Sequence, residues 1–283
     1  MSPDPTDARR RLRAARRTLA LCAALLALAP IATAQASGAG VPNPRQLWVV
    51  DQQDEENTMV VSYDAQAQEF SISDERGIGP GSGCAAAGDN RVTCADPGGQ
   101  IREVYIVLGG GNDVLSFSEE SDPLPSQLFE TIIGAGGGND VVVGGPGRNR
   151  ILGEGGRDVL AGGAAGDKLV GGPGRDGLIG FGGDDLIQGG PGADALFGFG
   201  GDDILQGHGG SDTLLGGRGD DRLLGGSKHD LLQAGKGVDV LLGGKGLDRL
   251  LAKDGIRDAR INCGPGRKDR VVRDRFDPRA RHC

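Results

Sequence analysis

Acidic residues recur in this chain at a constant spacing of nine. Every ninth residue from Asp140 to Asp248 is an aspartate, apart from one asparagine. The series is Asp140, Asn149, Asp158, Asp167, Asp176, Asp185, Asp194, Asp203, Asp212, Asp221, Asp230, Asp239 and Asp248. Residues 109–113 are an earlier copy, because Asp113 lies three whole periods before Asp140. A period that holds over thirteen units indicates one supersecondary element that is stacked repeatedly.

Residues at this spacing can form two rows. In each unit six turn-forming residues precede three strand-competent residues, as in residues 189–197. One unit cannot close a circuit, but two consecutive units can make one coil, and successive coils stack about 4.8 Å apart. Alternate acidic residues then fall on opposite edges. One row contains Asp140, Asp158, Asp176, Asp194, Asp212, Asp230 and Asp248, and the other contains Asn149, Asp167, Asp185, Asp203, Asp221 and Asp239.

Such rows require cations. Carboxylates about 4.8 Å apart repel by roughly 0.9 kcal/mol even at the dielectric constant of water, and burial strengthens the repulsion. The chain has too few opposed lysines to neutralise them. Carboxylates and the carbonyls of Gly-rich turns are hard oxygen ligands that suit Ca²⁺ better than Mg²⁺. We therefore predict that both rows, together with Asp113, are ligands of multiple Ca²⁺ ions, in up to eleven gaps between coils.

The apolar residues predict the fold that positions these rows. An aliphatic residue stands two places after each member of the series, from Val142 to Leu250. The place between them is charged in four of the thirteen units, at Arg150, Lys168, Arg222 and Arg249. Since successive side chains of a strand point to opposite faces, the eighth position should point inward and the seventh outward. The pattern predicts an all-β fold, a parallel β-roll (β-solenoid) of nonapeptide repeats.

The units resemble a known repeat. Residues 171–179 (GGPGRDGLI) and 216–224 (GGRGDDRLL) match the pattern G-G-x-G-x-D-x-U-x of RTX, or haemolysin-type, calcium-binding proteins. The resemblance covers residues 135–251 and 108–116. It implies a parallel β-roll in which Ca²⁺ lies between the turns of consecutive coils, held by the sixth-position aspartate and backbone carbonyls. Residues 46–107 and 252–283 look like the caps of small exported haemolysin-type proteins of high-GC bacteria.

Some units depart from that pattern. Asn149 carries no charge, and Ala165 and Lys228 replace the glycine at the fourth position. The second position is not glycine in four units, which have Glu154, Phe181, Phe199 and His208 there. We expect weaker or empty calcium sites beside Asn149 and Lys228. We also expect Phe181 and Phe199 to be neighbours, since they lie two periods apart.

Residues 1–36 have the composition of a secretory signal peptide. Six arginines precede a short apolar run at 19–29, and the small-residue site Ala34-Gln35-Ala36 follows. A transmembrane segment needs about 20 apolar residues, so we predict a secreted chain with no such segment after cleavage. We expect a linker at 37–44 within an N-terminal β cap at 37–107, the roll at 108–251 and a basic C-terminal cap at 252–283. Residues 117–134 are interpreted as degenerate units rather than an excursion, because Leu124 and Ile133 fall on aliphatic positions.

Four cysteines remain after residue 36. An even number in an exported chain favours disulfides. The simplest of the three connectivities pairs Cys84 with Cys94 and Cys263 with Cys283. Zinc is the competing interpretation, but the sequence contains no C-x-x-C pair.

Charge and motifs restrict the function. Loss of residues 1–36 removes six arginines and two aspartates, which changes the formal net charge from −8 to −12, so we do not expect nucleic acid to bind. No H-E-x-x-H or G-x-S-x-G motif occurs, and the histidines are scattered, so we expect no enzyme activity. We expect a secreted calcium-binding protein with a structural or adhesive role, in contact with a cell-surface or extracellular polymer. Two alternatives remain: a hydrolase or hydrolase accessory with its site in 46–107, and a metal-independent solenoid that binds polysaccharide or ice.

Overall fold

The architecture is that of a computed structural model. It describes residues 38–43, 46–50, 56–64, 67–74, 79–80, 84–87, 91–96, 101–117, 130–145, 147–265 and 269–283. These residues form strands and turns, and they include no helix of the length and apolar character that a membrane span requires. The signal peptide predicted at 1–36 lies outside the described residues.

The strands fall into an N-terminal group and a regular series. The N-terminal strands are β1 (Gly38–Asn43), β2 (Gln46–Val50), β3 (Thr58–Asp64), β4 (Glu69–Asp74), β5 (Gly79–Pro80), β6 (Cys84–Ala86), β7 (Arg91–Ala95), β8 (Glu103–Val107) and β9 (Val114–Phe117). The series continues with β10 (Glu130–Gly137), β11 (Val141–Val143), β12 (Arg148–Gly155), β13 (Val159–Ala161), β14 (Lys168–Val170), β15 (Gly177–Gly182), β16 (Leu186–Pro191), β17 (Ala195–Gly200), β18 (Ile204–Gly209), β19 (Thr213–Arg218), β20 (Arg222–Ser227), β21 (Leu231–Lys236), β22 (Val240–Lys245), β23 (Arg249–Ala252), β24 (Arg260–Asn262) and β25 (Arg270–Arg273).

The strands form two sheets that alternate along the chain. Even-numbered strands from β8 to β24 lie side by side in a 12-stranded sheet, and odd-numbered strands from β9 to β25 lie side by side in a 13-stranded sheet. Pairing in both series is parallel. In the nonapeptide region each residue pairs with the residue two units further along, as in Leu178 beside Leu196 and Ile187 beside Leu205. One coil therefore consists of two units, and the predicted parallel β-roll is confirmed.

The aliphatic rows form the core of the roll. All thirteen eighth-position side chains, from Val142 to Leu250, have no exposed surface. Seventh-position residues point outward, as at Ile204, which is 38 % exposed. Each coil therefore buries two position-eight side chains between the sheets, and the core continues into the N-terminal strands through Ile106 and Val49.

The N-terminal strands extend the same sheets. β2 pairs in parallel with β8 and β3 with β9, while β3, β4, β7 and β6 follow one another antiparallel. The hairpin of β6 and β7 carries the predicted Cys84–Cys94 disulfide. Our expectation of a linker at 37–44 was wrong for residues 38–43, because β1 finds backbone partners in β2 and β5.

One coil is longer than the others. β8 pairs with β10 and β9 with β11, and both registers span three periods instead of two, as in Ile106 beside Ile133. Between Asp113 and Asp140 the stack therefore has room for one unit rather than the two we expected. That unit contains Ile133, which is buried and pairs with Ile151. The other expected unit, around Leu124, lies outside the described residues.

The stack also continues beyond the nonapeptides. The nine-residue spacing ends after residue 251, but the pairing of the strands does not. Strand β24 pairs in parallel with β22, and β25 with β23. The chain ends with the predicted Cys263–Cys283 disulfide, and Arg281 forms a bridge with Asn262 of β24.

Candidate metal centre

The turns of the roll bring the sixth position of each unit close to the backbone of the next coil. The second position has a left-handed backbone conformation in most units, with φ of +109° at Gly172 and +136° at Gly217. Non-glycine residues at this position adopt it as well, with φ of +68° at Glu154 and +80° at both Phe181 and Phe199. The rings of Phe181 and Phe199 stack with centroids 5.8 Å apart, as their spacing of two units predicted. The turn geometry is therefore kept where the sequence departs from glycine.

The acidic side chains form two hydrogen-bonded rows. In the first, the backbone N–H of Asp140 donates to Oδ1 of Asp158 at 2.9 Å, and the same bond repeats in every coil as far as Asp248. In the second, the N–H of Asn149 donates to Oδ1 of Asp167 at 2.7 Å, and the row continues to Asp239. Asp113 heads the first row, since its N–H donates to Oδ1 of Asp140 at 2.8 Å. The rows contain the residues that the spacing predicted.

The second oxygen of most of these carboxylates has no donor. Oδ2 is buried and lacks a hydrogen-bond partner among the described residues in Asp140, Asp158, Asp176, Asp185, Asp194, Asp203, Asp212, Asp221, Asp230, Asp239 and Asp248. The side chains themselves are at most 3 % exposed. Because an isolated buried carboxylate is costly, it must be protonated or lie beside a cation.

Backbone carbonyls converge on the same oxygens. A Cβ built on Gly207 would lie 2.4 Å from Oδ2 of Asp212 and 2.6 Å from the carbonyl oxygen of Gly225 in the next coil. A Cβ on Gly171 would lie 2.5 Å from Oδ2 of Asp176 and 2.7 Å from the next coil's first-position carbonyl oxygen. The first-position glycine thus leaves a space between a carboxylate and a carbonyl, two oxygens of the type that Ca²⁺ accepts.

Burial raises the pKa of carboxylates in both rows, as expected where no cation neutralises them. It raises the pKa of Asp185 to about 8, with further increases from the carboxylates of Asp203 and Asp167 and an opposing effect of the backbone N–H of Asp167. Burial likewise raises the pKa of Asp158 and of Asp221 to about 7. A bound cation would favour the charged forms that the apolar surroundings disfavour.

Asn149 shows what an uncharged residue does in the same place. Its Nδ2 donates to the carbonyl oxygens of Gly145 at 3.0 Å and Gly147 at 2.8 Å, and to Oδ1 of Asp167 at 3.0 Å. Three acceptors therefore surround an atom at the end of the sixth-position side chain. In this unit the two amide hydrogens are shared among those three acceptors, which is the task that a cation would have beside a carboxylate.

Several residues of the rows were missed by the sequence analysis. Thr131 pairs with Asn149 and takes the sixth position in the long coil, and Asn57 donates its backbone N–H to Oδ1 of Asp113 at 2.8 Å. At the other end, Asp258 and Asp269 follow Asp239 and Asp248. Thr131 is in phase, nine residues before Asp140, but it has no carboxylate. A nine-residue search does not find Asn57, Asp258 or Asp269, because their spacings differ from whole periods. The fragment 263–271, CGPGRKDRV, is the signal that could have revealed one of them.

A further row of carboxylates, exposed to solvent, lies beside part of the second buried row. The fifth-position residues Asp184, Asp202 and Asp220 are exposed, and the N–H of Asp202 and of Asp220 each donates to the carboxylate of the preceding member. This exposed row runs beside Asp185, Asp203 and Asp221 only. The edge that contains Asp176 and Asp158 has Arg175 and Arg157 at the fifth position instead, so the two edges differ in charge.

The carboxylates of the rows can bind calcium only together with backbone carbonyl oxygens. The described residues contain no cluster of three or more His, Cys, Asp or Glu side chains that could hold a metal. Most coils instead offer one carboxylate per edge, with an unpartnered oxygen that faces a carbonyl. The exceptions are Asn149, which has no carboxylate, and Asp167, whose Oδ2 accepts the N–H of Gly163. Ca²⁺ accepts mixed carboxylate and carbonyl ligands in flexible geometry, and therefore these residues fit it.

A parallel two-sheet roll with buried carboxylate rows defines a class of metal-binding solenoid. The family model described as RTX calcium-binding nonapeptide repeat (4 copies) matches residues 134–169, 143–178, 162–196, 179–214 and 215–250. Residues 134–250 belong to this family of calcium-binding repeats, and the fold is its β-roll. No curated protein and no solved structure matches the chain.

Proposed function

We propose that this chain is an exported protein whose roll folds around a series of Ca²⁺ ions. The observation that carries the proposal is the double row of buried Oδ2 atoms without donors, most of them beside the space that a first-position glycine leaves. Repulsion within each row opposes stacking when the carboxylates are charged. Calcium between the coils removes that repulsion and joins the carboxylate of one coil to a carbonyl of the next.

The proposed ligands are the sixth-position carboxylates from Asp113 to Asp248, with backbone carbonyls of the turns. We exclude Asn149 as an anionic ligand, because its amide hydrogens already satisfy the acceptors around it. The gap beside Asn149 therefore holds an ion weakly or not at all. The calcium site at Asp212 should also be weak, because the positive charge of Lys228 lies close to this carboxylate. Burial raises the pKa of Asp212, and Lys228 opposes that increase.

Folding should depend on calcium. Each regular coil buries only two position-eight side chains, and metal binding then contributes directly to the free energy of folding. Circular dichroism of the processed chain should show little β-structure in chelator and a large gain in millimolar Ca²⁺. Equilibrium dialysis should find a series of bound ions that approaches the number of gaps. An unchanged spectrum, or only one or two ions per chain, contradicts the proposal.

We further propose that the protein works outside the cell, in a structural or adhesive role. The order of charged, apolar and small residues in 1–36 supports export, and the Cys84–Cys94 and Cys263–Cys283 disulfides fit an oxidising compartment. Extracellular calcium modules bind with Kd of about 10⁻⁴–10⁻³ M, which is too weak to bind calcium in a calcium-poor cytosol. The roll should therefore remain unfolded inside the cell and cross the membrane by the general secretory route. Cell fractionation with thiol labelling tests this. A reduced, folded and calcium-loaded protein in the cytoplasm would overturn it.

The contact outside the cell is proposed on the exposed charged residues of the roll and of the C-terminal segment. The repeats of this family bind calcium, and we assign the chain no catalytic activity. An acidic exposed row on one edge and an excess of arginine near the C-terminal strands are surfaces that a charged polymer could contact. Crosslinking of the calcium-loaded protein on intact cells should recover a surface component, whereas recovery of the protein alone argues against adhesion.

A further inference from the structure

The C-terminal segment 252–283 contains carboxylates in the same arrangement as the nonapeptides. The backbone N–H of Asp239 donates to Oδ1 of Asp258 at 3.1 Å, and that of Asp248 donates to Oδ1 of Asp269 at 3.0 Å. These are the bonds that join successive members of the two rows, although each spacing is longer than the two periods of a regular coil. Both rows therefore continue past the last nonapeptide, which ends near residue 250.

The extra residues are absorbed without loss of register in the strands. Arg260, Ile261 and Asn262 of β24 lie beside residues 240–242 of β22, so Ile261 takes the eighth position and is buried. In β25, Val271 lies beside Leu250 in the same way. The additional residues thus fall in the turns, and one of them, Ala259, lies between Asp258 and β24.

Asp258 and Asp269 have the same unpartnered oxygen as the consensus aspartates. Oδ2 of each is buried and has no hydrogen-bond partner among the described residues. Asp258 is 3 % exposed, and the carboxylates of Asp239, Asp277 and Asp254 are close enough to add to the effect of burial on its pKa. Negative charge is therefore concentrated around a buried oxygen that has no donor.

The segment also completes the last consensus unit. A Cβ built on Gly243 would lie 2.6 Å from Oδ2 of Asp248 and 2.7 Å from the carbonyl oxygen of Cys263. Cys263 thus provides the carbonyl that a first-position glycine provides elsewhere, and it is held by its disulfide to Cys283. Gly264 follows with φ of +91°, as at a second position.

We propose that Asp258 and Asp269 bind calcium in the C-terminal segment, beyond the recognised repeats, and that the carbonyl of Cys263 completes the site at Asp248. This inference rests on the proposed function of the nonapeptides. Its consequence is that calcium holds β24 and β25 to the roll, so the disulfide-bonded end of the chain is part of the metal-binding structure.

Substitution by asparagine tests the two carboxylates. Asp258→Asn and Asp269→Asn keep an Oδ1 acceptor for the backbone N–H and remove the anionic oxygen. The matched control is Asp184→Asn, which removes an exposed carboxylate that also accepts a backbone N–H. Equilibrium dialysis with Ca²⁺ should find one ion fewer for each substituted C-terminal aspartate and an unchanged number for the control. Equal binding by all variants overturns the inference.

Crystals of the unsubstituted protein grown with calcium give a test that does not depend on the folding of a variant. Anomalous scattering should show a peak beside Oδ2 of Asp258 and another beside Oδ2 of Asp269. Peaks confined to the nonapeptides reject this inference and leave the proposed function intact. The absence of bound calcium throughout the chain rejects both.

Discussion

Nδ2 of Asn149 lies 3.0 Å from Oδ1 of Asp167 and donates a hydrogen bond to it between consecutive coils. The same nitrogen reaches two carbonyl oxygens of its own turn, Gly145 and Gly147. At this one unit the roll closes with an amide where the other twelve members of the series from Asp140 to Asp248 have a carboxylate. The gap between Asn149 and Asp167 is therefore the part of the second row that can form without a cation.

Asn149→Asp should convert this gap into a calcium site. The substitution removes the donated hydrogen bonds and places a carboxylate against their acceptors, and each buried group left unsatisfied costs about 1–3 kcal/mol. At non-saturating Ca²⁺ we expect lower stability, and in saturating Ca²⁺ we expect one additional bound ion. Equilibrium dialysis and denaturant unfolding measure the two effects. Asn139→Asp is the control, since Asn139 is exposed and the substitution adds the same charge at a fifth position.

Gly207→Ala should weaken the site at Asp212. The new Cβ would enter the space between Oδ2 of Asp212 and the carbonyl of Gly225. Alanine occupies the first position naturally at Ala135 and Ala234, so we expect a higher calcium concentration for half-maximal folding rather than loss of folding. Gly209→Ala in the same unit is the control, because the nearest atom to its Cβ is Oγ of Ser227 at 3.7 Å. Equal calcium titrations for both variants would show that this space holds no ion.

Without calcium the roll should be more stable in mild acid than at alkaline pH. Burial raises the folded-state pKa of Asp185 to about 8 and that of Asp158 to about 7, above the ordinary value of 3.8. For a raised pKa the stabilising contribution is complete below the unfolded value and is lost as pH rises through the folded value. We therefore expect the β-structure that remains in chelator, measured by circular dichroism, to be greatest near pH 5 and to decrease towards about pH 8, the interval over which those carboxyls lose their protons.

Calcium should reverse that dependence, since its ligands must be deprotonated. In saturating Ca²⁺ the denaturant midpoint of the roll should rise over the same pH interval. Calcium binding near neutral pH should also release protons into a weakly buffered solution. A chelator-treated protein that becomes more stable as pH rises would be inconsistent with buried, unneutralised carboxylates. Titration calorimetry in buffers of different ionisation enthalpy measures the proton release directly.

Leu205→Ala should destabilise the calcium-loaded roll far more than Ile204→Ala. Leu205 has no exposed surface, and truncation of a buried leucine costs about 2–5 kcal/mol. Its neighbour Ile204 occupies the outward seventh position of the same strand and is 38 % exposed. Denaturant unfolding in saturating Ca²⁺ compares the two. Similar losses of stability would mean that position eight is not the core position.

The interior of the roll was predictable because its determinants are local. A nine-residue period specifies which side chains point inward, and two units per coil follow from the chain's need to return to its starting point. The sequence therefore identified the rows from Asp140 to Asp248, the buried aliphatic positions and the stacking of Phe181 on Phe199. Both disulfides could also be predicted from the sequence, since each joins cysteines that are close in the chain.

Only the tertiary structure decided where the roll ends. It also decided which oxygen of each carboxylate accepts a backbone hydrogen bond. Asp258 and Asp269 belong to the rows through strand pairing, which keeps its register when a turn gains one or more residues. Sequence spacing loses the period at the same insertions. In the same way, spacing places Asp158 next to Asp140, but only the folded chain shows that a backbone N–H takes Oδ1 and leaves Oδ2 without a donor. The reason is that hydrogen bonds between coils depend on three-dimensional register, whereas a periodic pattern records only distance along the chain.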